Sequence, residues 1–244
     1  MRSIRDLKLS AKQAMRGRTG LLIMAMLAYT ALGFAGNMLT TMFFPGTGIP
    51  DIIISEVFLF ILTLVFGIFY AGVRYLYLNV ARGRAYSMED LIYFFRNDPD
   101  KVIVATFVLC LISLAVSLPV NIYLYNMEIG TSLEAQLDWA VTTLVLMLAA
   151  MAVSELLTLP FEMTYYLMAD HPEMGGTDAL KSSVRMLKGK TGRLLLLKIS
   201  FIPMMLLSVF TLYIALIWII PYMEMATAEF YRALLDELDE NSTF

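Results

Sequence analysis

Hydrophobic residues in this chain are gathered into a few long runs that short polar segments separate. None of the runs shows the alternation of polar and apolar positions, about ten residues long, that is typical of a membrane β-strand. Each run reaches the roughly 20 residues that a helix needs to cross about 30 Å of hydrocarbon. The pattern therefore predicts membrane-spanning helices in the runs 21–44, 52–80, 102–125, 139–169 and 194–235.

The last run is too long for one straight span, because a helix of this length would extend roughly 60 Å, about twice the thickness of the hydrocarbon. One interpretation is that the chain folds back near residues 211–213, which gives two short spans and six in total. The alternative is five spans, with the chain leaving the membrane near Pro221 and continuing as an amphipathic surface helix.

Positive charges alternate between the segments that connect the runs. Lys and Arg are frequent before residue 21, after residue 80 and after residue 169, and they are absent from residues 45–51 and 126–138. Since Lys and Arg are retained on the cytoplasmic side, the N-terminus and, with six spans, the C-terminus are expected in the cytoplasm. The first run is also longer than the apolar part of a signal peptide, about 7 to 15 residues, so we interpret it as a span.

An internal similarity favours the six-span interpretation. Residues 10–20 align without gaps with residues 182–192, and half of their offset leads to the third polar segment, near residues 87–101. We therefore predict one all-α integral membrane domain over residues 1–244, a polytopic transmembrane helix bundle. It would contain three units, 1–80, 86–169 and 177–238, each an amphipathic helix followed by a two-helix hairpin.

The amphipathic helices carry most of the positive charge. In the third unit, Thr177 is expected to cap a helix with Val184 and Leu187 on its apolar face, and in the second unit Ser87 and Asp90 have the spacing of a capping box. We expect these helices to lie in the headgroup layer, with their cations near anionic lipid. The candidate contacts for anionic headgroups or for a cytoplasmic partner are Arg16, Arg18, Lys188, Lys190 and Arg193.

Several short motifs lie in the carboxyl-terminal third of the chain. They are ADHP at 169–172, ALKS at 179–182, MLKGK at 186–190, LKISFI at 197–202, LIW at 216–218 and PY at 221–222. With them, the chain resembles the uncharacterised bacterial integral membrane family called domain of unknown function 975, and residues 8–18 are similar to the usual opening of that family. The resemblance implies a six-pass membrane protein without an assigned activity. Pro203 departs from the pattern, since the family is expected to have Gly followed by Trp there.

Ionisable residues within the runs are candidates for a functional site, because such residues are costly in hydrocarbon. Arg74, Glu162 and Lys198 are expected at one depth, as a cluster in which the two cations either neutralise Glu162 or extend to the headgroups. Glu155 is expected deeper, with no cation at its level, so it should be protonated or face water. The helix face that carries Glu155 and a polar stripe on the third run either border a hydrated path or only form hydrogen bonds between the two helices. That stripe consists of Ser113, Ser117 and Asn121.

Composition and missing motifs narrow the function. With 59% apolar and 16% charged residues, the chain differs from a soluble enzyme, and a net charge of −3 argues against a nucleic-acid partner. One Cys, one His and no catalytic motif predict no catalytic residue, no cofactor and no metal. We expect a non-enzymatic accessory or scaffold protein of the inner membrane, with homo-oligomers left open. The alternative is a small transporter or channel with Glu155 and Glu162 along the path.

Overall fold

The computed structural model describes residues 2–46 and 48–242, and every regular element among these residues is a helix. Short 3-10 turns at Met88–Ile92, Leu159–Phe161 and Ser208–Thr211 interrupt the α-helices. The α-helices are α1 (Ile4–Met15), α2 (Thr19–Phe43), α3 (Ile49–Ala81), α4 (Tyr93–Arg96), α5 (Pro99–Tyr125), α6 (Leu133–Thr158), α7 (Thr164–Asp170), α8 (Gly176–Leu187), α9 (Thr191–Ile199), α10 (Ile202–Leu207) and α11 (Leu216–Ser242).

Five helical stretches of the described chain are long and apolar enough to cross a membrane. This supports an all-α, multi-pass membrane protein, and it leaves the sixth predicted span unconfirmed. Helix α11 is not among the five, because Glu224, Glu229 and Arg232 interrupt its apolar surface. The five stretches are Thr19–Phe43, Ile53–Ala81, Pro99–Tyr125, Leu133–Asp170 and Thr191–Thr211.

The last apolar run folds back on itself. Leu212 and Tyr213 have φ angles of 49° and 65°, a left-handed conformation that stops the preceding helical turns. After this reversal α11 packs against α1, α2 and α3, and its Glu237 carboxylate lies 2.8 Å from the ammonium of Lys190, at the start of α9. The last residues of α11 therefore lie beside the start of α9, at the same end of the bundle.

The aligned segments 10–20 and 182–192 adopt the same local structure. Helices α1 and α8 both contain 12 residues, and each is followed by a glycine with positive φ, +74° at Gly17 and +77° at Gly189. In both turns the threonine two residues later donates its hydroxyl to the carbonyl four residues before it, at 2.8 and 2.9 Å. Glycine adopts this backbone conformation at little cost, which explains the shared Gly-x-Thr-Gly pattern. The second polar segment uses Asp98, with φ of 52°, before α5.

The apolar faces of α1 and α8 are covered by protein. This differs from helices that lie in the headgroup layer with their apolar faces buried in lipid. Leu7 and Ala11 of α1 are completely buried, and α1 packs along α11. Helix α8 packs in the same way against α5 and α7. The physical reason is the return of α11, which brings an apolar helix face next to α1 and removes its need for lipid.

The details of α8 and of the second polar segment also correct the sequence analysis. Helix α8 is capped by the backbone of Gly175 and not by Thr177, which lies inside the first turn. Val184 is 40% exposed, and the protein-facing surface of α8 contains Ser183 instead. The predicted capping box at Ser87 is confirmed, although it opens the 3-10 turn Met88–Ile92 and not an α-helix.

One end of the bundle, which we call the basic end, contains α1, α4, α8, residues 82–98 and the second half of α11. Apart from Arg74 and Lys198, all Lys and Arg residues lie there, in the adjoining connections, or in the first turns of α5 and α9. Contacts between distant elements hold this end together: Arg82 pairs with Asp170, Tyr231 donates to Asp170 at 2.8 Å, and Arg2 lies 3.1 Å from Asp236. The chain thus gathers its cations at one end of the apolar helices.

Candidate functional site

Arg74 of α3 is the centre of a buried charge cluster. Its side chain is 4% exposed, and its guanidinium lies 2.5 Å from the carboxylate of Glu162 and 3.2 Å from that of Glu224. It also donates to the hydroxyl of Tyr166 at 2.9 Å and to the hydroxyl of Tyr70. A buried guanidinium needs such a set of acceptors, because its desolvation cost is offset only by well-placed charges and hydrogen bonds.

Lys198 of α9 connects this cluster to a more exposed carboxylate. Its ammonium lies 2.8 Å from Glu162 and also contacts Glu155, which is 53% exposed. Both cations that were expected to neutralise Glu162 therefore contact it, whereas the expectation that Glu155 lacks a cation is wrong. With all groups ionised, the cluster holds three carboxylates and two cations.

The helix that contains Glu155 is interrupted after α6, between Glu155 and Glu162. The depth estimate assumes one continuous helix with a rise of 1.5 Å per residue, but α6 ends at Thr158 and a 3-10 turn containing Pro160 follows. Ser183 of α8 donates to the carbonyl of Pro160 at 2.8 Å and accepts from the backbone of Met163 at 3.1 Å. Helix α8 thereby stabilises the 3-10 turn that lies between the two carboxylates in contact with Lys198.

An open groove of about 350 Å³ lies between α5 and α6. It is lined by Ser113, Ser117 and Asn121 of α5 and by Glu155 of α6, so the structure places these predicted polar residues on one surface. Across part of it, the hydroxyl of Ser154 donates to that of Ser113 at 3.1 Å. The carboxylate at the edge of this groove is the one that Lys198 connects to the buried cluster.

The five cations predicted to contact lipid or a partner fall into two groups. Arg16 and Lys188, at aligned positions of α1 and α8, are exposed and have no carboxylate partner among the described residues. The other three contact groups of the protein itself. The hydrogen bond from Lys190 lowers the pKa of Glu237 below its ordinary value. Their contacts are Arg18 with the Val80 carbonyl at 3.1 Å, Lys190 with Glu237 at 2.8 Å and Arg193 with the Arg2 carbonyl at 2.6 Å.

The cluster is suited to holding charge within the bundle. Its carboxylates are each in contact with a cation, and the described part of the chain contains no group of three His, Cys, Asp or Glu side chains that could hold a metal ion. His171, beside Asp170, lies 3.5 Å from Glu173 on the surface. The arrangement is a series of contacts that runs from Glu155 through Lys198 to Glu162 and Arg74.

The apolar helices and the paired glycine turns agree with the resemblance based on the sequence motifs. A family model described as a protein of unknown function (DUF975) matches residues 1–237. The chain belongs to the DUF975 family. No curated protein and no solved structure matches the chain. Membership of DUF975 thus gives the chain a family without an activity, and a function has to be argued from its own residues.

Sequence reasoning missed three members of the charge cluster. Glu224 lies inside the last apolar run, three residues after Pro221, at which the five-span alternative takes the chain out of the membrane. Tyr70 precedes Arg74 by four residues, so it lies one helical turn from the charge that donates to it. Tyr166 follows Glu162 by four residues and accepts from Arg74. This spacing was the available signal.

Proposed function

We propose that the chain is a non-enzymatic accessory or scaffold protein of the bacterial inner membrane, with six spans and both termini in the cytoplasm. The three units of the repeat would each contribute one cytoplasmic helix and one hairpin. The basic end would then face the cytoplasm, where it would dock an acidic partner.

The observation that carries this proposal is a set of exposed cations at the basic end. Cations of this kind are free to meet an external anion, whereas paired ones are already satisfied. Three belong to α1 and its C-cap, one to residues 82–98, and two to α8 and its C-cap. Within the described residues, those without a carboxylate partner are Arg5, Lys12, Arg16, Arg84, Arg185 and Lys188.

The topology is supported by the turn at residues 212–215 and by the contacts between the two ends of the chain. Because Arg2 meets Asp236 at 3.1 Å, the N-terminus and the second half of α11 lie together. A reporter that works only in the cytoplasm should therefore be active when it is fused after Phe244, and also when it is fused before α1. If the reporter showed the C-terminus on the side of the membrane opposite to the cytoplasmic N-terminus, the proposal of six spans would be refuted.

Docking can be tested by removing free cations while a matched variant removes paired ones. In crosslinked membranes, Arg185→Gln with Lys188→Gln should lower recovery of an acidic partner about fivefold, since two surface charges contribute roughly 1 kcal/mol together. The control is Arg96→Gln with Lys181→Gln, which changes the net charge equally but removes cations already paired with Glu89 and Asp178. Equal recovery from both variants would contradict docking at α8.

A second candidate function is a small transporter or channel for a polar or ionic solute. It is favoured by the groove between α5 and α6, because Glu155 at its edge contacts Lys198, which in turn contacts Glu162. Proteoliposomes should then show solute or proton flux that Glu155→Gln abolishes. Glu134→Gln, which alters an exposed carboxylate on the same helix, should leave the flux unchanged. Absence of flux over a broad solute panel would exclude this candidate.

A further inference from the structure

A second groove, of about 460 Å³, lies where α1, α2, α10 and α11 meet. Its surface combines two kinds of side chain. Lys12 and Arg16 lie on it from α1, and Met204, Trp218 and Ile219 supply apolar surface from α10 and α11. It is separate from both the charge cluster and the groove beside Glu155.

The two cations are arranged to act together. Lys12 lies in the last turn of α1 and Arg16, four residues later, is the C-cap of that helix, and both side chains line the same groove. Both are exposed, neither has a carboxylate partner among the described residues, and no acidic residue lines this groove. Two unneutralised cations beside each other provide a site for a phosphate group, which an ammonium binds as a point charge and a guanidinium can bind through two hydrogen bonds.

The apolar part of the groove continues directly from these cations. Trp218 is 54% exposed and Met204 is 38% exposed, whereas Ile219 is buried beneath them. Tryptophan is favoured where hydrocarbon meets headgroups, because its ring is apolar and its indole N–H is polar. A ligand that fills this groove must therefore carry a negative charge at one end and hydrocarbon at the other.

We infer that this groove binds one anionic phospholipid, with the phosphate on Lys12 and Arg16 and an acyl chain along Met204 and Trp218. Basic pockets between membrane helices are the known type of site for such lipids. The inference goes beyond docking of a partner at the basic end, although it uses two of the same cations. Helix α8 offers a built-in comparison, because Val184 occupies the position that aligns with Lys12.

Trp218 makes the site measurable by fluorescence. The only other tryptophan is Trp139, so a Trp139→Phe variant reports from the groove alone. In nanodiscs, brominated phosphatidylglycerol should quench Trp218 at a mole fraction on the order of tenfold lower than brominated phosphatidylcholine, as two cations near an anionic headgroup imply. Adding Lys12→Gln with Arg16→Gln should abolish this preference, and adding Arg185→Gln with Lys188→Gln should preserve it.

Control measurements separate the proposed site from general attraction of anionic lipid and from the binding of free phosphate. A Trp218→Phe variant, which reports from Trp139, should show no preference, and glycerol phosphate in solution should not reverse the quenching of Trp218. Equal quenching by both lipids, a preference that survives Lys12→Gln with Arg16→Gln in monodisperse protein, or reversal by glycerol phosphate would overturn the inference. Because no cytoplasmic partner is present in these nanodiscs, failure here would leave the docking test at α8 unaffected, and the reverse also holds.

Discussion

Replacing Arg74 with alanine should lower the free energy of unfolding by about 3 kcal/mol. The change leaves Glu162 and Glu224 in the interior, with Lys198 in contact with only the first of them. Breaking a buried ion pair costs about 3 to 5 kcal/mol, because the remaining charge stays desolvated. We expect the lower limit, since polar groups also find partners in the unfolded state of a membrane protein. Glu155→Gln should cost less than about 1 kcal/mol, because that carboxylate is 53% exposed.

The assay is unfolding of the purified protein in mixed micelles by increasing SDS, followed by circular dichroism. Arg84→Ala is the matched control, because Arg84 is exposed and has no carboxylate partner among the described residues. This variant should change the free energy of unfolding by no more than about 0.5 kcal/mol. Adding Glu224→Gln to Arg74→Ala should restore part of the stability, because it removes the carboxylate that the loss of Arg74 leaves without a cation in contact. The reasoning would be refuted if Arg74→Ala and Arg84→Ala unfolded alike, or if Glu224→Gln lowered the stability of the Arg74→Ala variant further.

Two further predictions concern local structure. Gly72→Ala should cost about 1 to 3 kcal/mol, because a Cβ there would lie 2.1 Å from the carbonyl oxygen of Leu91. Gly20→Ala, with no atom within 4 Å of its Cβ, should cause no loss, and equal thermal stability of these two variants would contradict the prediction. The hydrogen bond from the Ser3 hydroxyl lowers the pKa of Asp6 below its ordinary value of 3.8. The contribution of this capping contact to the stability of α1 is therefore complete above pH 3.8, and it is lost as the pH falls through the lowered pKa. Protection factors of the first turn of α1 should show this loss in hydrogen exchange, and an Asp6→Asn variant with the same pH profile would refute it.

The charge cluster shows how far sequence reasoning reached and where it failed. Arg74, Glu162 and Lys198 were predicted to lie together from their distances to the ends of apolar runs, and those distances depend only on helix geometry. Glu155 was expected to lack a cation because a count of depth along single helices does not show which side chains of other helices reach it, and Lys198 of α9 does. Glu224 was missed because its partner, Arg74, is 150 residues away in sequence and meets it only through the packing of α11 on α3.

The amphipathic helices show a similar division. The alignment of residues 10–20 with 182–192 predicted two equivalent helix ends, and the left-handed glycines at Gly17 and Gly189 explain the shared residues. Periodicity correctly identified an apolar face on α1 but did not reveal what covers it. The same periodicity assigned Val184 to the covered face of α8, although the close approach of Gly176 to the backbone of α5 presents Ser183 to the protein instead.

By itself, the sequence determined that this chain consists of long apolar helices with its cations gathered in alternate connections. That much follows from composition and from the length of each run, because hydrocarbon requires every backbone polar group to be satisfied within its own helix. The tertiary structure alone decided which charges neutralise one another, which cations stay exposed and where grooves remain between helices. These depend on turns, breaks and side-chain reach between segments far apart in the chain, and no local pattern of residues encodes those distances.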